Sequence, residues 1–434
     1  MRELKDSGNK WIGLIPKTWG VERIKTIFSE RSELSEDGSE TLLSVSEYYG
    51  VANRAEKVED GEYVSRAESL VGYKKCYKGD LVSNIMLAWK GSMGVTELDG
   101  IVSPAYCVYK PSKSVYPRYY HYLFRTSLYT SIFRLYSKGI IDSRLRLYSP
   151  YFFDIKAIIP SLAEQQRIAE FLDRKCAEVD EMIGLQEQII EELKAYKQSV
   201  ITEAVTKGLN PDAPMRDSGI EWIGQIPAHW EVEPLKFNFN RRSERNNPIV
   251  TTERLSLSID KGVTLYSEKT TNLDRFKEDF TQYQIAHPND IVLNCMNMIV
   301  GAVGLSKYLG CVSPVYYVIY PSNSKIDSEY YSYLLNTPTI RGVYYSYGKG
   351  IYAIERGEGR VNTCRLKVSY DDFGRFNIPI PPIEEQKNIV SYIKEKCADV
   401  DSLIQTKLSK IDSLKEYKKS IIYEYVTGKR EVTE

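Results

Sequence analysis

The chain is one unit written twice. The segment Asp6-Ser-Gly-Asn-Lys-Trp-Ile-Gly-Leu-Ile-Pro-Lys-Thr-Trp19 recurs as Asp217-Ser-Gly-Ile-Glu-Trp-Ile-Gly-Gln-Ile-Pro-Ala-His-Trp230. From Asp6 to Lys25 the offset is 211, and 12 of 20 positions are identical. Val102-Ser-Pro104 returns as Val312-Ser-Pro314, and Tyr119-Tyr120 returns as Tyr330-Tyr331. Between residues 159–208 and 380–429, 21 of 50 positions match. The offset rises from 211 at Gly139/Gly350 to 221 at Arg144/Arg365, so the second copy carries ten extra residues, Ile351 to Arg360. Insertions of this kind go to surface loops. A duplicated chain of 434 residues must fold as a pseudo-symmetric molecule of several domains, not around one core. No period of 20–50 residues is present, which excludes a solenoid.

Each copy has two parts. Residues 1–158 and 209–378 mix short β-branched and aromatic runs with Gly and Pro, as in Gly79-Asp-Leu-Val-Ser-Asn84. They read as α+β with strands predominating. Tyr116–Arg134 and Tyr330–Tyr345 are compatible with helix, the second limited by a break at Asn336-Thr-Pro338. Residues 159–208 and 379–434 each read as one long helix. Ser161-Leu-Ala-Glu164 looks like a capping box, and Lys207-Gly208 ends the pattern. In the second copy Pro382 suits the first turn and Thr427-Gly428 ends it. A helix of ~45 residues is roughly 67 Å long at 1.5 Å per residue, the dimension of a spacer. Cys176, Ile183 and Ile190 share a heptad position, with Val179, Leu193 and Val200 three residues after it. Cys397, Ile404 and Ile411 pair with Val400, Leu414 and Ile421 in the same way. That spacing predicts a coiled-coil seam. Gln186 and Lys407, at equivalent positions, are its polar interruptions. In an antiparallel pair they would mark the crossing point and fix register.

Composition excludes several classes. Lys+Arg and Asp+Glu are both 58, so the chain is no polycation that binds nucleic acid by bulk charge. The charge is segregated, however. Residues 161–206 hold five basic and ten acidic residues, whereas residues 66–160 hold fourteen and six. Arg118, Arg125, Arg134, Lys138, Arg144 and Arg146 lie in that basic stretch among many tyrosines. Arg341, Lys349, Arg356, Arg360, Arg365 and Lys367 occupy the equivalent stretch of the second copy. Such local charge fits a surface that grips phosphates and reads base edges. The 34 tyrosines fit half-exposed strands, and otherwise wet interfaces or base stacking. Seven scattered cysteines without a C-x-x-C pair fit reduced thiols in a cytoplasm. No signal peptide and no run of about 20 apolar residues is evident, so no membrane association is expected.

Catalytic motifs are missing. There is no P-loop; Gly348-Lys-Gly350 and Gly357-Glu-Gly359 lack its spacing and read as a mobile loop. The three histidines, His121, His229 and His287, sit in no metal or triad pattern. No Asn-Pro-Pro-aromatic segment of an amino-methyltransferase occurs. Glu385-Gln-Lys387 matches half of a nuclease motif, but it lies in a helix's first turn, where the macrodipole accounts for carboxylates.

The repeated Asp-Ser-Gly-x-x-Trp-Ile-Gly-x-Ile-Pro-x-x-Trp opening and Ile378-Pro-Ile-Pro-Pro-Ile-Glu-Glu-Gln386, echoed by Ile159-Pro-Ser-Leu-Ala-Glu-Gln165, together resemble the specificity subunit of Type I restriction–modification systems. The resemblance covers nearly the whole chain; Ser161 stands where the family usually has a second proline. It implies two target-recognition domains, one for each half of a split double-stranded DNA target, and an antiparallel helical spacer that sets the gap. It implies two modification subunits docked on the helices and ATP-dependent restriction subunits joining them. S-adenosylmethionine, ATP and Mg2+ then belong to those partners, and this chain needs no cofactor or metal of its own. The candidate DNA-binding residues are Lys90, Arg134, Lys138, Arg144 and Arg146 in the first copy. In the second they are Asn297, Lys349, Arg356, Arg360 and Arg365. The competing readings are a stand-alone DNA-modifying enzyme with an unrecognised site and a coiled-coil scaffold with no DNA role.

Overall fold

The computed structural model describes residues 2–57, 69–259, 261–269, 279–351, 354–356, 360–362 and 365–433. The chain forms two compact units. The first comprises Met1–Glu187 with Leu408–Glu434, and the second Gln188–Lys407. Each unit thus contains one globular copy and part of both long helices.

The first unit is built on a four-stranded antiparallel sheet in the order Phe28–Arg31, Tyr106–Pro111, Leu81–Asn84, Met93–Val95. Its inner strands are buried on both faces, which is why they read as continuous apolar runs. Leu81 and Tyr109 point into one cluster with Phe28, Phe124 and Phe152. Val82 and Val108, one residue on, point the other way, to Leu43, Val45 and Val102. Helices Pro117–Leu123 and Ser127–Tyr136 contribute to the first cluster. The hairpin Leu43–Ser46/Gly50–Asn53 contributes to the second.

The second unit repeats this plan. Its sheet runs Phe239–Arg241, Tyr316–Pro321, Ile291–Asn294, Val303–Leu305. Helices Ser328–Leu334 and Pro338–Tyr347 serve one face, and the hairpin Leu255–Ser258/Gly262–Leu265 the other. The break at Asn336-Thr-Pro338 is an N-cap, because Thr337 Oγ1 accepts from Ile340 N; Thr126 does the same for Tyr129 in the first unit.

Tyr106, Tyr316 and Tyr320 lie half-buried on strands as expected, but another group of tyrosines does not. Tyr119, Tyr120, Tyr129, Tyr330, Tyr331 and Tyr344 are fully buried on helices. Their hydroxyls donate to backbone carbonyls, as Tyr120 to Ile158 O (3.3 Å) and Tyr331 to Pro379 O (2.9 Å). Tyr fills the core like Phe and satisfies an orphan acceptor as Phe would not. The ten-residue insertion also departs from the loop expectation. Its described residues pair as Ile354–Arg356 with Arg360–Asn362, above Lys349–Ile351 with Arg365–Lys367. Gly348 caps the preceding helix and Gly350 lies in a strand, while Gly357-Glu-Gly359 falls outside the described residues.

The long helices span Leu162–Lys207 and Ile383–Val426, 46 and 44 residues. Ser161 Oγ accepts from Glu164 N at 3.3 Å, but only this half of the capping box forms, because the Glu164 carboxylate is engaged elsewhere. Gly208 and Gly428, at φ 75° and 73°, end the helices in the left-handed conformation. The two helices pack together as an antiparallel coiled coil. Along it Cys176, Val179, Ile190, Val400, Ile411 and Ile421 are buried. Ile183, Gln186, Leu193, Val200, Cys397, Ile404, Lys407 and Leu414 are half-buried. Lys418 Nζ pairs with Asp180 at 2.6 Å in the first unit, and Lys197 Nζ with Asp401 at 2.7 Å in the second. These are the same pair by the repeat, so both units share one helix register. Among the described residues no helix is long and apolar enough to cross a membrane.

Candidate nucleic-acid interface

The two motifs that repeat most faithfully are halves of one joint. Trp19 Nε1 donates to Glu164 Oε2 at 2.7 Å, and the Arg2 guanidinium pairs with the same carboxylate. In the second unit Trp230 Nε1 donates to Glu385 Oε2 at 3.1 Å, with His229 Nε2 2.8 Å away. The neighbouring glutamines are fully buried. Gln165 accepts from Tyr116 N at 2.9 Å and donates to Pro160 O at 2.9 Å. Gln386 accepts from Asp327 N at 2.8 Å and donates to Pro381 O at 2.7 Å. Glu385-Gln-Lys387 therefore holds a structural joint, with Lys387 paired to Glu384 at 2.8 Å. The far helix ends are held too. Tyr119 donates to Val426 O and Tyr330 to Val205 O, both at 2.7 Å. Each globular part therefore grips the start of one long helix and the end of the other. Sequence reasoning passed over Glu164, Gln165, Tyr119 and their counterparts as functional positions, although their repetition in both copies was the signal.

Beyond the joint, matched turns present unlike side chains on one backbone frame. In the first unit buried Asn84 Oδ1 accepts from Met86 N (3.1 Å), Ser92 N donates to Leu87 O (3.1 Å), and Gly91 has φ 91°. In the second, Asn294 Oδ1 accepts from Met296 N (3.1 Å), Ala302 N donates to Asn297 O (3.0 Å), and Gly301 has φ 98°. Both glycines must be left-handed for the turn to close. The exposed residues on this frame are Leu87 and Lys90 in one copy, and Met296, Asn297 and Val300 in the other. Asn297 begins the short helix Met298–Val300 without capping it, and its side chain is exposed.

The first copy's cations gather around that turn. Lys90 and Arg134 both stack on Trp89, at 5.2 and 4.8 Å from the ring centroid. Arg134 pairs with Asp142 at 2.7 Å, and Leu147 N donates to Ile85 O at 2.9 Å, which ties loop to turn. Lys138 lies 4.7 Å from the Tyr151 ring. Arg144 is exposed and has no ion pair among the described residues. Arg146 is committed to the loop itself, donating to Ser143 O (3.2 Å) and Leu145 O (2.8 Å). Two other arginines of the basic stretch are structural. Arg118 pairs with Asp173 at 2.7 Å, and half-buried Arg125 donates to the carbonyls of Glu47 and Tyr48.

In the second copy Lys349 is 84% exposed at its side chain, with Nζ 3.7 Å from Asp372 Oδ2. Arg365 is paired with Ile351, and Arg356 with Arg360, along the ribbon backbone. Among the described residues no cluster of His, Cys, Asp and Glu could hold a metal ion. Burial pushes the Cys76 thiol up to about 12, so it is no ready nucleophile.

A paired molecule with two like domains on long helices, each presenting different side chains on a turn of the same backbone frame, is the class this architecture defines. The family model described as "Type I restriction modification DNA specificity domain" matches it twice, over residues 16–195 and 233–413. The chain belongs to the type I restriction–modification specificity-subunit family and carries two DNA specificity domains. It is 23% identical to a putative type I restriction enzyme MjaX specificity subunit of Methanocaldococcus jannaschii, across 96% of this chain and 95% of that one. It is 23% identical to the StySPI specificity subunit of Salmonella potsdam, across 90% and 84%. Among solved structures, a chain from a study of complex assembly and conformational transition of the type I R-M system shares its fold. That chain has a TM-score of 0.65 at 15% identity, covering 96% of this chain and 99% of the other. The HsdS subunit of Thermoanaerobacter tengcongensis gives a TM-score of 0.53 at 16% identity, covering 98% and 100%.

Proposed function

We propose that this chain is the non-catalytic reading subunit of a restriction–modification complex, and that each unit reads one half of an asymmetric split DNA site. The observation that carries this reading is the pair of matched turns. One backbone frame offers Leu87 and Lys90 in the first unit but Asn297 and Val300 in the second. Lys and Arg suit guanine edges and Asn suits adenine, so unlike side chains on like frames read unlike bases. Lys138 and Arg144, exposed beside the turn, supply phosphate contacts that position without specifying. The same roles fall to Lys349, Arg356, Arg360 and Arg365 in the second unit.

The helix pair acts as a ruler between the half-sites and as the dock for two modification subunits. Apolar side chains exposed on the helices, among them Met182, Tyr196, Leu403 and Tyr417, support docking. Met182 matches Leu403 and Tyr196 matches Tyr417 by the repeat, as two equivalent docks require. Gln186 and Lys407, beside the points where the chain divides into its units, would fix the register. Methyl transfer with S-adenosylmethionine, and ATP- and Mg2+-dependent cleavage, fall to the partner subunits of a cytoplasmic complex.

The test is a heptad inserted into each helix of the assembled complex. It lengthens the ruler by roughly 10 Å. The gap in the methylated motif should grow by about three base pairs. A complex that still modifies DNA with an unchanged gap refutes the ruler.

A further inference from the structure

The loop between Lys138 and Arg146 is where the two copies differ most on a common base. Lys138 and Arg146 exchange two backbone hydrogen bonds of 2.9 Å, and the matching residues Lys349 and Lys367 pair in the second copy. Gly139 and Gly350 follow at φ 153° and 148°. A Cβ on Gly139 would lie 2.5 Å from the Arg144 carbonyl oxygen, so the first copy's loop closes tightly. Above this base the first copy makes a short turn, and the second a ribbon ten residues longer.

On the short turn Ile140 is 97% exposed, followed by Ile141, 54% exposed. The turn is braced, not slack. Arg134 holds Asp142, and Arg146 holds the carbonyls of Ser143 and Leu145. Of these two β-branched apolar side chains, Ile140 contributes almost nothing to burial within this chain and Ile141 only part of its surface. Their flanks are cationic: Lys138 and Arg144 on the loop, Arg134 beside it, and Lys90 against the same Trp89 as Arg134. Cations that hold phosphates around an apolar tip are the arrangement by which proteins press a side chain against bases.

We propose that Ile140 and Ile141 make the apolar base contact of the half-site read by the first unit. Ile140 packs against a base step or a thymine methyl group once the flanking cations hold the backbone. The second unit replaces this contact with its ribbon, which adds a second source of asymmetry. The inference rests on the reading of the chain as a DNA-reading subunit.

The experiment uses the full chain assembled with its modification subunits. Ile140→Ser, the double variant with Ile141→Ser, and the conservative Ile140→Leu are compared for binding to a duplex bearing the methylated motif and to an unrelated duplex. The serine variants should lose roughly ten- to a hundredfold in affinity for the motif. Their binding to the unrelated duplex and their salt dependence should be unchanged, and Ile140→Leu should bind as wild type. A wedge is reported by 2-aminopurine in the half-site, whose fluorescence should rise with wild type and not with Ile140→Ser. A methyl contact is reported by thymine-to-uracil replacement, which should weaken wild type and leave Ile140→Ser unchanged. If wild type does not prefer its motif, the DNA-reading function itself falls. If wild type prefers the motif and the serine variants do so equally, the isoleucine contact alone is overturned.

Discussion

Replacing Gly428 with alanine tests the joint at the end of the C-terminal helix. Two costs combine there. The residue sits at φ 73°, where a Cβ is disfavoured by about 1–2 kcal/mol. The new methyl would also lie 2.4 Å from Pro16 Cδ and 2.9 Å from Trp19 Cη2. Neither ring yields easily, since Trp19 is pinned to Glu164, so overpacking adds about 1–3 kcal/mol. The expected loss is therefore about 2–5 kcal/mol, or roughly 4–20 °C in Tm for a unit of this size. Gly79→Ala supplies the control, because Gly79 has φ 93° with nothing within 4 Å of its Cβ position. It should cost only the backbone penalty, about 1–2 kcal/mol. Hydrogen exchange read by mass spectrometry separates the two units, which one melting curve does not. Gly428→Ala should speed exchange in the Leu14–Pro16 strand and the last helical turn more than Gly79→Ala does anywhere in the first unit. Equal effects of the two substitutions would refute a close-packed joint.

Other perturbations reach different layers of the structure. Tyr330→Phe leaves the Val205 carbonyl without its phenol donor and should cost about 1–2 kcal/mol, read as faster exchange in the last turn of the central helix; no change would mean that water replaces the hydroxyl. Burial, with Arg125 nearby, pushes His121 well below its ordinary 6.5, so the folded first unit resists protonation that the unfolded chain accepts. Its contribution is complete above pH 6.5 and declines as pH falls toward the depressed folded value. Between pH 7 and 5 wild type should therefore lose about 1–2 kcal/mol more than His121→Gln in urea denaturation, and parallel curves would dismiss His121 as the source. In the assembled complex, Lys138→Ala and Arg144→Ala should each weaken motif and unrelated DNA alike and lower the salt slope by about one, whereas a loss confined to the motif would make that residue a base reader.

The sequence revealed the duplication, both long helices and their ends, because these rest on local signals: heptad spacing, prolines before the first turn and glycines after the last. The break at Asn336-Thr-Pro338 was visible for the same reason. What stayed hidden depends on partners far along the chain. Arg118, Arg125 and Arg146 look like Lys138 and Arg144 in sequence, yet Asp173 and the carbonyls of Glu47, Tyr48, Ser143 and Leu145 engage them. Glu164 fitted a capping box until Trp19, 145 residues away in sequence, took its carboxylate. The buried helical tyrosines misled because a phenol suits a wet strand and a buried helix equally, and only the position of an orphan carbonyl decides between them. The insertion carried too little apolar periodicity to predict its strand pairing.

The central claim is that this one chain supplies the sequence specificity of a modification complex through two unlike reading units. Methylation-aware sequencing of the host genome, with the gene intact and deleted, tests it most directly. One asymmetric split motif carrying methylated adenine in both halves should be present with the gene and absent without it. A motif that survives the deletion, or a gene-dependent motif that is continuous or has identical halves, would contradict the claim.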